Sequence, residues 1–241
     1  MSKQVAISLQ GLTIGYGTKV VQRDLTLSLE QGEMVCMLGR NGCGKSTLLR
    51  TLAGLQPALG GVFSIQQSAV VLTDKLTLEN TTVREVVAMG RYPYTSFLGK
   101  LTAEDEKVVD EALSEVFGGD GLLVTGYGER AFNALSDGEK QRVLIAKALA
   151  QQTPVILLDE PTAHLDLPNR IMLLKLLRRL AHEQGKTILI STHELELAIH
   201  LSDRILLMSD KGVALNTPEA LRQSNAFERA FGMNIFDLSD L

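Results

Sequence analysis

The stretch GRNGCGKST, residues 39–47, constrains this chain more than any other feature. It fits the pattern G-x-x-x-x-G-K-[ST] with nothing missing. An apolar run, 33–38, precedes it, and a segment with helical spacing, 46–55, follows it. Strand, glycine-rich loop and helix N-terminus in this order form a cradle for phosphate groups. A turn that serves folding alone would not need the lysine and the hydroxyls.

Each residue type in the loop has a physical role in such a cradle. Glycines let backbone N–H groups approach the phosphates, Lys45 neutralises the outer ones, and the Ser46 hydroxyl can bind Mg²⁺. The expected ligands are therefore a nucleoside triphosphate and Mg²⁺. The residues that we expect to line the cradle are Gly39, Arg40, Asn41, Gly42, Cys43, Gly44, Lys45, Ser46 and Thr47.

Composition limits the class of protein. The 241 residues are 45% hydrophobic, which is enough for a sizeable core, and they carry a formal net charge of −4. Acidic and basic residues are interspersed, so the sequence shows no basic patch of the kind that binds nucleic acid. Because no apolar run reaches about 18 residues and the start lacks the apolar core of a signal peptide, we expect a soluble cytoplasmic chain. Any membrane role would then require a partner.

The pattern of apolar residues predicts an α/β fold. Alternating apolar residues over 5–29 predict an antiparallel β region at the N-terminus. Two later apolar strands, 154–160 and 186–192, flank an amphipathic helix, and this order implies a parallel core. The expected division is a core of about 1–75 and 151–215, an inserted helical subdomain of about 76–150, and a C-terminal tail of about 216–241.

Polar side chains follow the two later strands. Asp159 and Glu160 end one strand, and His193 follows the other. In α/β proteins, ligands bind at the edge of the sheet where the carboxyl ends of the parallel strands lie. Asp159 can hold Mg²⁺, Glu160 can deprotonate a water that attacks a γ-phosphate, and His193 can bind that phosphate or position the water. The competing interpretation is a solvated acidic strand end with a structural histidine.

The segment ALSDGEKQRVLIAKALA, residues 134–150, predicts a helix with a distinctive start. Ser136 is a plausible N-cap, and Glu139, three residues later, completes a capping-box pattern. A well-capped helix would explain the pattern without any ligand. Its free N–H groups would nevertheless suit an anion.

Together these motifs resemble those of the ABC ATPase family over essentially the whole chain. GRNGCGKST resembles its Walker A motif, LSDGE its signature, VILLDE its Walker B motif, AHLD its D-loop and STH its switch histidine. The resemblance implies a P-loop NTPase fold that binds ATP and Mg²⁺. It also implies that Tyr16 stacks on adenine, and that Ser136, Gly138 and Asp166 act at a nucleotide held by the other subunit of a homodimer.

The sequence departs from the family pattern at two places. Asp137 stands in the signature where glycine is common, and its carboxylate either points away from the phosphates or weakens closure of the dimer. The glutamine loop, expected just after 68–72, contains no glutamine. Either Asp74 or Thr73 occupies that neighbourhood, and Asp74 could still reach Mg²⁺ or a water.

The segment VAMGRYPYT, residues 87–95, resembles one found in ATPases of importers for iron siderophores, haem and cobalamin. The expected partners are an integral-membrane permease and, indirectly, a substrate-binding protein. The expected location is peripheral, on the cytoplasmic face of the cell membrane. The alternatives are a soluble ABC ATPase that acts on nucleic acid or ribosomes, and a module that closes on ATP without hydrolysing it.

Overall fold

The computed structural model describes residues 4–72, 78–95, 99–118, 124–210 and 212–232. Asp74 and Thr73, the two candidates for the glutamine-loop position, lie outside these residues.

The described residues form both strands and helices. The strands are β1 Val5–Tyr16, β2 Lys19–Glu30, β3 Met34–Gly39, β4 Gly60–Ile65, β5 Ser68–Val71, β6 Val155–Asp159, β7 Thr187–Ser191, β8 Arg204–Ser209 and β9 Gly212–Asn216. The helices are α1 Lys45–Leu52, α2 Val83–Ala88, α3 Ala103–Phe117, α4 Val124–Tyr127, α5 Asp137–Ala150, α6 Leu167–Gln184, α7 Leu195–Leu201, α8 Pro218–Gln223 and α9 Ala226–Phe231.

The chain packs as two compact units. The first unit contains 1–68, 154–161 and 177–241, and the second contains 69–153 and 162–176. The chain therefore enters the second unit twice, and α6 begins in one unit and ends in the other.

An antiparallel sheet forms the N-terminal part of the first unit, in the order β2-β1-β4. On β1 the side chains of Ile7, Leu9, Leu12 and Ile14 are all buried, with exposed fractions of 1% or less. One face of the sheet thus carries the apolar residues that the alternation in the sequence indicated. The predicted antiparallel β region is confirmed.

A second sheet of the first unit carries the strands that end near the functional residues. Within it the order β6-β7-β3-β8-β9 places the loop-bearing strand β3 between β7 and β8. β3 pairs in parallel with both neighbours, β6 pairs in parallel with β7, and only β9 among these strands runs antiparallel. Every residue of β3, β6 and β7 is buried, as expected for parallel strands covered on both faces. The predicted parallel core is confirmed.

The second unit is mainly helical. Its helices α2, α3 and α5 pack against one another. Val86, Val109 and Val143, one from each helix, are fully buried. α3 is 15 residues long and begins after a capping box at Thr102.

Candidate functional site

The phosphate loop connects the end of β3 to the start of α1. Gly44 directly precedes α1 with a φ of +107°, a conformation that side chains rarely adopt. A Cβ at Gly44 would also lie 2.8 Å from Val21 Cγ1, so the position requires glycine. In the part of the chain that the structure describes, no side chain caps the first turn of α1. A helix N-terminus of this kind is suited to binding an anion.

The Lys45 side chain spans the loop from its end to its beginning. Its Nζ donates to the carbonyl of Gly39 at 2.8 Å and to that of Arg40 at 3.4 Å, and the residue is only 6% exposed. An ammonium group has three N–H donors. Two of these hydrogen bonds fix the position of the cation, and a third donor can serve a phosphate oxygen.

The buried side chain of Gln22, on β2, hydrogen-bonds the backbone of the phosphate loop. Its Nε2 donates to the carbonyl of Cys43 and to that of Ser209, both at 2.9 Å, and its side chain is buried. The amide therefore joins the phosphate loop to the end of β8. Sequence reasoning missed this residue, because a glutamine in a strand with alternating burial resembles a solvent-facing side chain.

An open cleft of about 510 Å³ lies over the loop. Its lining residues are Tyr16, Lys19, Val21, Asn41, Gly42, Gly44, Lys45, Ser46, Thr47, Glu160 and His193. Nine of these were predicted site residues, whereas Lys19 and Val21 of β2 were not. Of the remaining predicted loop residues, Gly39 and Cys43 are buried and Arg40 is exposed.

The rim of the cleft includes an aromatic ring. Tyr16 is 49% exposed, and its hydroxyl accepts a hydrogen bond from Thr47 Oγ1 at 3.0 Å. This contact ties the ring to the start of α1 while leaving ring surface available for stacking.

Two oxygen-bearing side chains meet beside the cleft in a way that fits Mg²⁺. Ser46 Oγ donates to Asp159 Oδ1 at 2.9 Å, so the lone pairs of the hydroxyl stay available to a cation. Mg²⁺ prefers oxygen ligands and is commonly bound by one or two protein groups together with substrate phosphates. The residues present therefore fit the ion that the loop pattern implies.

The two residues predicted for water activation are in contact. His193 Nε2 lies 2.5 Å from Glu160 Oε1, and both side chains are partly exposed in the cleft. Glu160 has a φ of +46°, a sparsely populated conformation for a residue with a side chain. Such strain costs on the order of 1–3 kcal/mol and is found mainly at functional sites.

In the second unit, Ser136 caps α5 as the sequence predicted. Its Oγ accepts from the Glu139 N–H at 3.3 Å, and the Ser136 N–H donates to Glu139 Oε2 at 2.9 Å. The capping box is confirmed. Asp137, the departure from the family signature, is exposed.

Gly138 and Asp166 are linked through one side chain. A Cβ at Gly138 would lie 3.2 Å from Asn169 Cγ. Asn169 in turn donates to Asp166 Oδ1 from its Nδ2 at 2.7 Å and from its backbone N–H at 3.1 Å. Asn169, in the first turn of α6, therefore lies close to the start of α5 and bonds Asp166.

Comparison with known proteins assigns the chain to a family. Residues 22–163 match the family described as ABC transporter. An uncharacterised ABC transporter ATP-binding protein of Methanocaldococcus jannaschii is 37% identical, with coverage of 97% of this chain and 82% of that protein. An iron(3+)-hydroxamate import ATP-binding protein of Bacillus subtilis is also 37% identical, with coverage of 90% and 87%.

A solved structure agrees with the sequence comparison. A metal-chelate type ABC transporter in an inward-facing conformation aligns with a TM-score of 0.85 and 31% identity. The alignment covers 95% of this chain and 90% of that one. The predicted fold, an ABC-type P-loop NTPase with an antiparallel β region, is confirmed.

Proposed function

The chain belongs to the ABC transporter family, and we propose that it is the ATP-hydrolysing subunit of an importer. The reaction is ATP + H₂O to ADP + phosphate. The observation that carries the proposal is the contact between Glu160 and His193 in the cleft above the phosphate loop. A carboxylate next to a bound γ-phosphate can accept a proton from an attacking water.

Glu160 acts as the general base. Its carboxylate orients the water in line with the γ-phosphate and takes a proton as the oxygen attacks. His193, which is within 2.5 Å of Glu160 Oε1, holds that carboxylate in place and can donate to the phosphate. Glu160 thus accepts the proton, and His193 positions the Glu160 carboxylate.

The phosphate loop and its neighbours bind the nucleotide. Lys45 and the N–H groups at the start of α1 hold the phosphates, and the exposed ring of Tyr16 stacks on adenine. Ser46 and Asp159 would hold Mg²⁺, and Asp74 is a further candidate ligand outside the described residues. The ion would supply positive charge that offsets the charge of the phosphates.

A homodimer completes each site. Among the described residues that line the cleft, none comes from the start of α5. Ser136 and Gly138 of a second copy would reach the γ-phosphate, with Asp166 at the same interface. A twofold arrangement gives two equivalent sites, and ATP binding favours the closed dimer.

The importer assignment rests on the relatives and on the surface of residues 87–95. Arg91 is buried, pairs with Asp105 at 2.9 Å, and donates to the carbonyl of Ala150 at 2.8 Å. This buried anchor holds a short helical turn on which Tyr92 and Tyr94 are 57% and 49% exposed. Exposed aromatic side chains on a fixed turn suit a protein interface.

The cargo and the location follow from that assignment. A metal chelate, either an iron siderophore, haem or cobalamin, is carried by a permease to which this subunit docks from the cytoplasmic face. A substrate-binding protein would act through the permease. None of the helices in the described ranges is both long and apolar enough to cross a membrane.

Two substitutions test the ATPase assignment. Glu160→Gln removes the base but keeps the size of the side chain, so kcat should fall about 10²- to 10⁴-fold while ATP binding persists. Lys45→Ala removes a charged donor, so ATP should bind at least about tenfold more weakly. Kinetics of phosphate release and equilibrium binding of a fluorescent ATP analogue measure the two effects.

Exposed residues of the same types provide matched controls. Glu196 on α7 and Lys175 on α6 are both exposed, so Glu196→Gln and Lys175→Ala should leave kcat and ATP affinity within about twofold of the wild type. Near-normal hydrolysis by Glu160→Gln would remove Glu160 from the role of general base.

A further inference from the structure

The Ser191 hydroxyl at the end of β7 connects the two neighbouring carboxylate residues of the site. Its Oγ donates to Asp159 Oδ1 at 2.6 Å and accepts from the Glu160 N–H at 2.9 Å. Ser191 is completely buried, whereas the cleft begins two residues later at His193. The hydroxyl therefore touches both acidic residues without lining the cleft.

Parallel pairing of β6 and β7 places Ser191 at this position. The register sets Val155 opposite Thr187 and Asp159 opposite Ser191, so the last residues of both strands lie side by side. Side chains in register on neighbouring strands share a face of the sheet. A serine at the end of β7 is thus in reach of Asp159, while a valine there could not donate.

The hydrogen bonds of Ser191 leave little freedom to either carboxylate residue. A hydroxyl has one hydrogen, and because the Glu160 N–H already donates to Oγ, that hydrogen is directed to Asp159. Asp159 Oδ1 also receives the Ser46 hydroxyl, at 2.9 Å. The buried Ser191 Oγ therefore fixes the position of the Asp159 carboxylate relative to the backbone of Glu160.

The backbone of Glu160 needs such an anchor. Its φ of +46° is unfavourable for a residue with a side chain and persists only where surrounding contacts impose it. The Glu160 N–H is held by Ser191 through both Oγ at 2.9 Å and the carbonyl oxygen at 3.2 Å. With the backbone in this conformation, Glu160 Oε1 lies 2.5 Å from His193 Nε2.

We propose that Ser191 is a positioning residue for ATP hydrolysis: its buried hydroxyl fixes the Glu160 backbone and the Asp159 carboxylate relative to each other. Ser191 is not among the described residues that line the cleft, and in this proposal it acts through its two neighbours. The proposal rests on the proposed ATPase function. Because a displacement of about 1 Å can cost on the order of 100-fold in rate, the loss of this hydroxyl affects turnover more than binding.

The test compares substitutions at the two ends of β7. Ser191→Ala removes the hydroxyl, and Ser191→Cys keeps a similar size but donates weakly. Thr187→Val is the matched control, because Thr187 is also completely buried and its hydroxyl bonds the backbone of Glu30 and Gly32, away from the cleft. Ser191→Thr restores a hydroxyl.

We expect kcat to fall at least about tenfold in Ser191→Ala and Ser191→Cys, with KM and the nucleotide Kd in EDTA unchanged within about twofold. Ser191→Thr recovers most of the rate, and Thr187→Val keeps it. If Ser191→Ala does not fold, as judged by its melting curve, Ser191→Cys decides the kinetic test.

A second readout does not depend on hydrolysis. The ring ¹⁵N signals of His193, assigned by their loss in His193→Ala, report its contact with Glu160. They should shift in Ser191→Ala and not in Thr187→Val, even if the wild type proves inactive and the proposed function fails. Unchanged His193 signals, a kcat within twofold of the wild type, or an equal loss in Thr187→Val would each overturn the positioning role.

Discussion

At the scale of single residues, Cys43 combines a nucleophilic side chain with a position inside the phosphate loop. It is only 4% exposed, and its Sγ would lie 2.7 Å from a Cβ placed on Gly39. Burial raises the pKa of the Cys43 thiol above its usual value, and the nearby Lys45 ammonium opposes that rise in part. The thiol is therefore mostly protonated at neutral pH and reacts slowly, since the thiolate is the nucleophile.

We predict that a maleimide adduct on Cys43 blocks nucleotide binding, because the loop has no space for added volume. Mass spectrometry identifies the labelled fraction, and binding of a fluorescent ATP analogue to that fraction should be at least about tenfold weaker. Cys43→Ser, treated in the same way, should keep its affinity. Normal binding by fully labelled protein would show that the loop tolerates the adduct.

The chemistry of single residues was largely accessible from the sequence, but their conformations were not. The motif around Lys45 and the acidic pair after a buried strand identify candidate groups by residue type and order. The positive φ of Glu160 and the hydroxyl of Ser191 depend on which strands become neighbours. No local pattern around residue 191 specifies that it pairs with Asp159.

At the scale of elements, the start of α5 depends on an ionised carboxylate. Partial burial disfavours the charge of Glu139, but hydrogen bonds from the Ser136 backbone and side chain, together with Arg130, outweigh it and lower the pKa of Glu139 to about 2. Arg130 Nη1 lies 2.8 Å from Glu139 Oε1. The ordinary pKa of glutamate is about 4.3.

This lowered pKa makes the stability of α5 dependent on pH. A depressed pKa in the folded state adds stability above the unfolded pKa, and that stability is lost as pH falls towards the folded value. Glu139→Gln should therefore lower the melting temperature at pH 7, and the difference from the wild type should shrink between about pH 4.5 and pH 2.

Melting curves of the two proteins at successive pH values measure this difference. Glu104→Gln removes an exposed carboxylate from the first turn of α3 and serves as the control. A difference between Glu139→Gln and the wild type that stays constant down to pH 2 would contradict the ionised capping box.

Elements themselves were well predicted where periodicity was strong. The buried strands and the capping box at Ser136 follow from local pattern and capping chemistry. The pattern did not indicate that α6 begins in one unit and ends in the other. The regular spacing of apolar residues in an amphipathic helix such as α6 does not indicate which neighbouring element each turn packs against.

At the scale of the whole molecule, the proposed function depends on contacts with other chains. Glu160 and His193, the proposed catalytic pair, lie in the first unit, whereas Ser136 and Gly138 lie in the second. The role that we propose requires a second copy of the chain for hydrolysis and a permease for transport. The sequence could predict this assembly only through its family resemblance, because interface residues have no local periodicity.

The most direct measurement captures partners of tagged Glu160→Gln, held closed with ATP, from gently solubilised membranes of its native cell. The same capture with Lys45→Ala provides the control, and sedimentation of the purified Glu160→Gln sample establishes whether ATP produces a dimer. We predict an ATP-dependent dimer that retains a multi-spanning permease, identified by mass spectrometry, and a much weaker signal with Lys45→Ala. An ATP-dependent dimer that recovers only soluble or ribosomal partners would contradict the importer function.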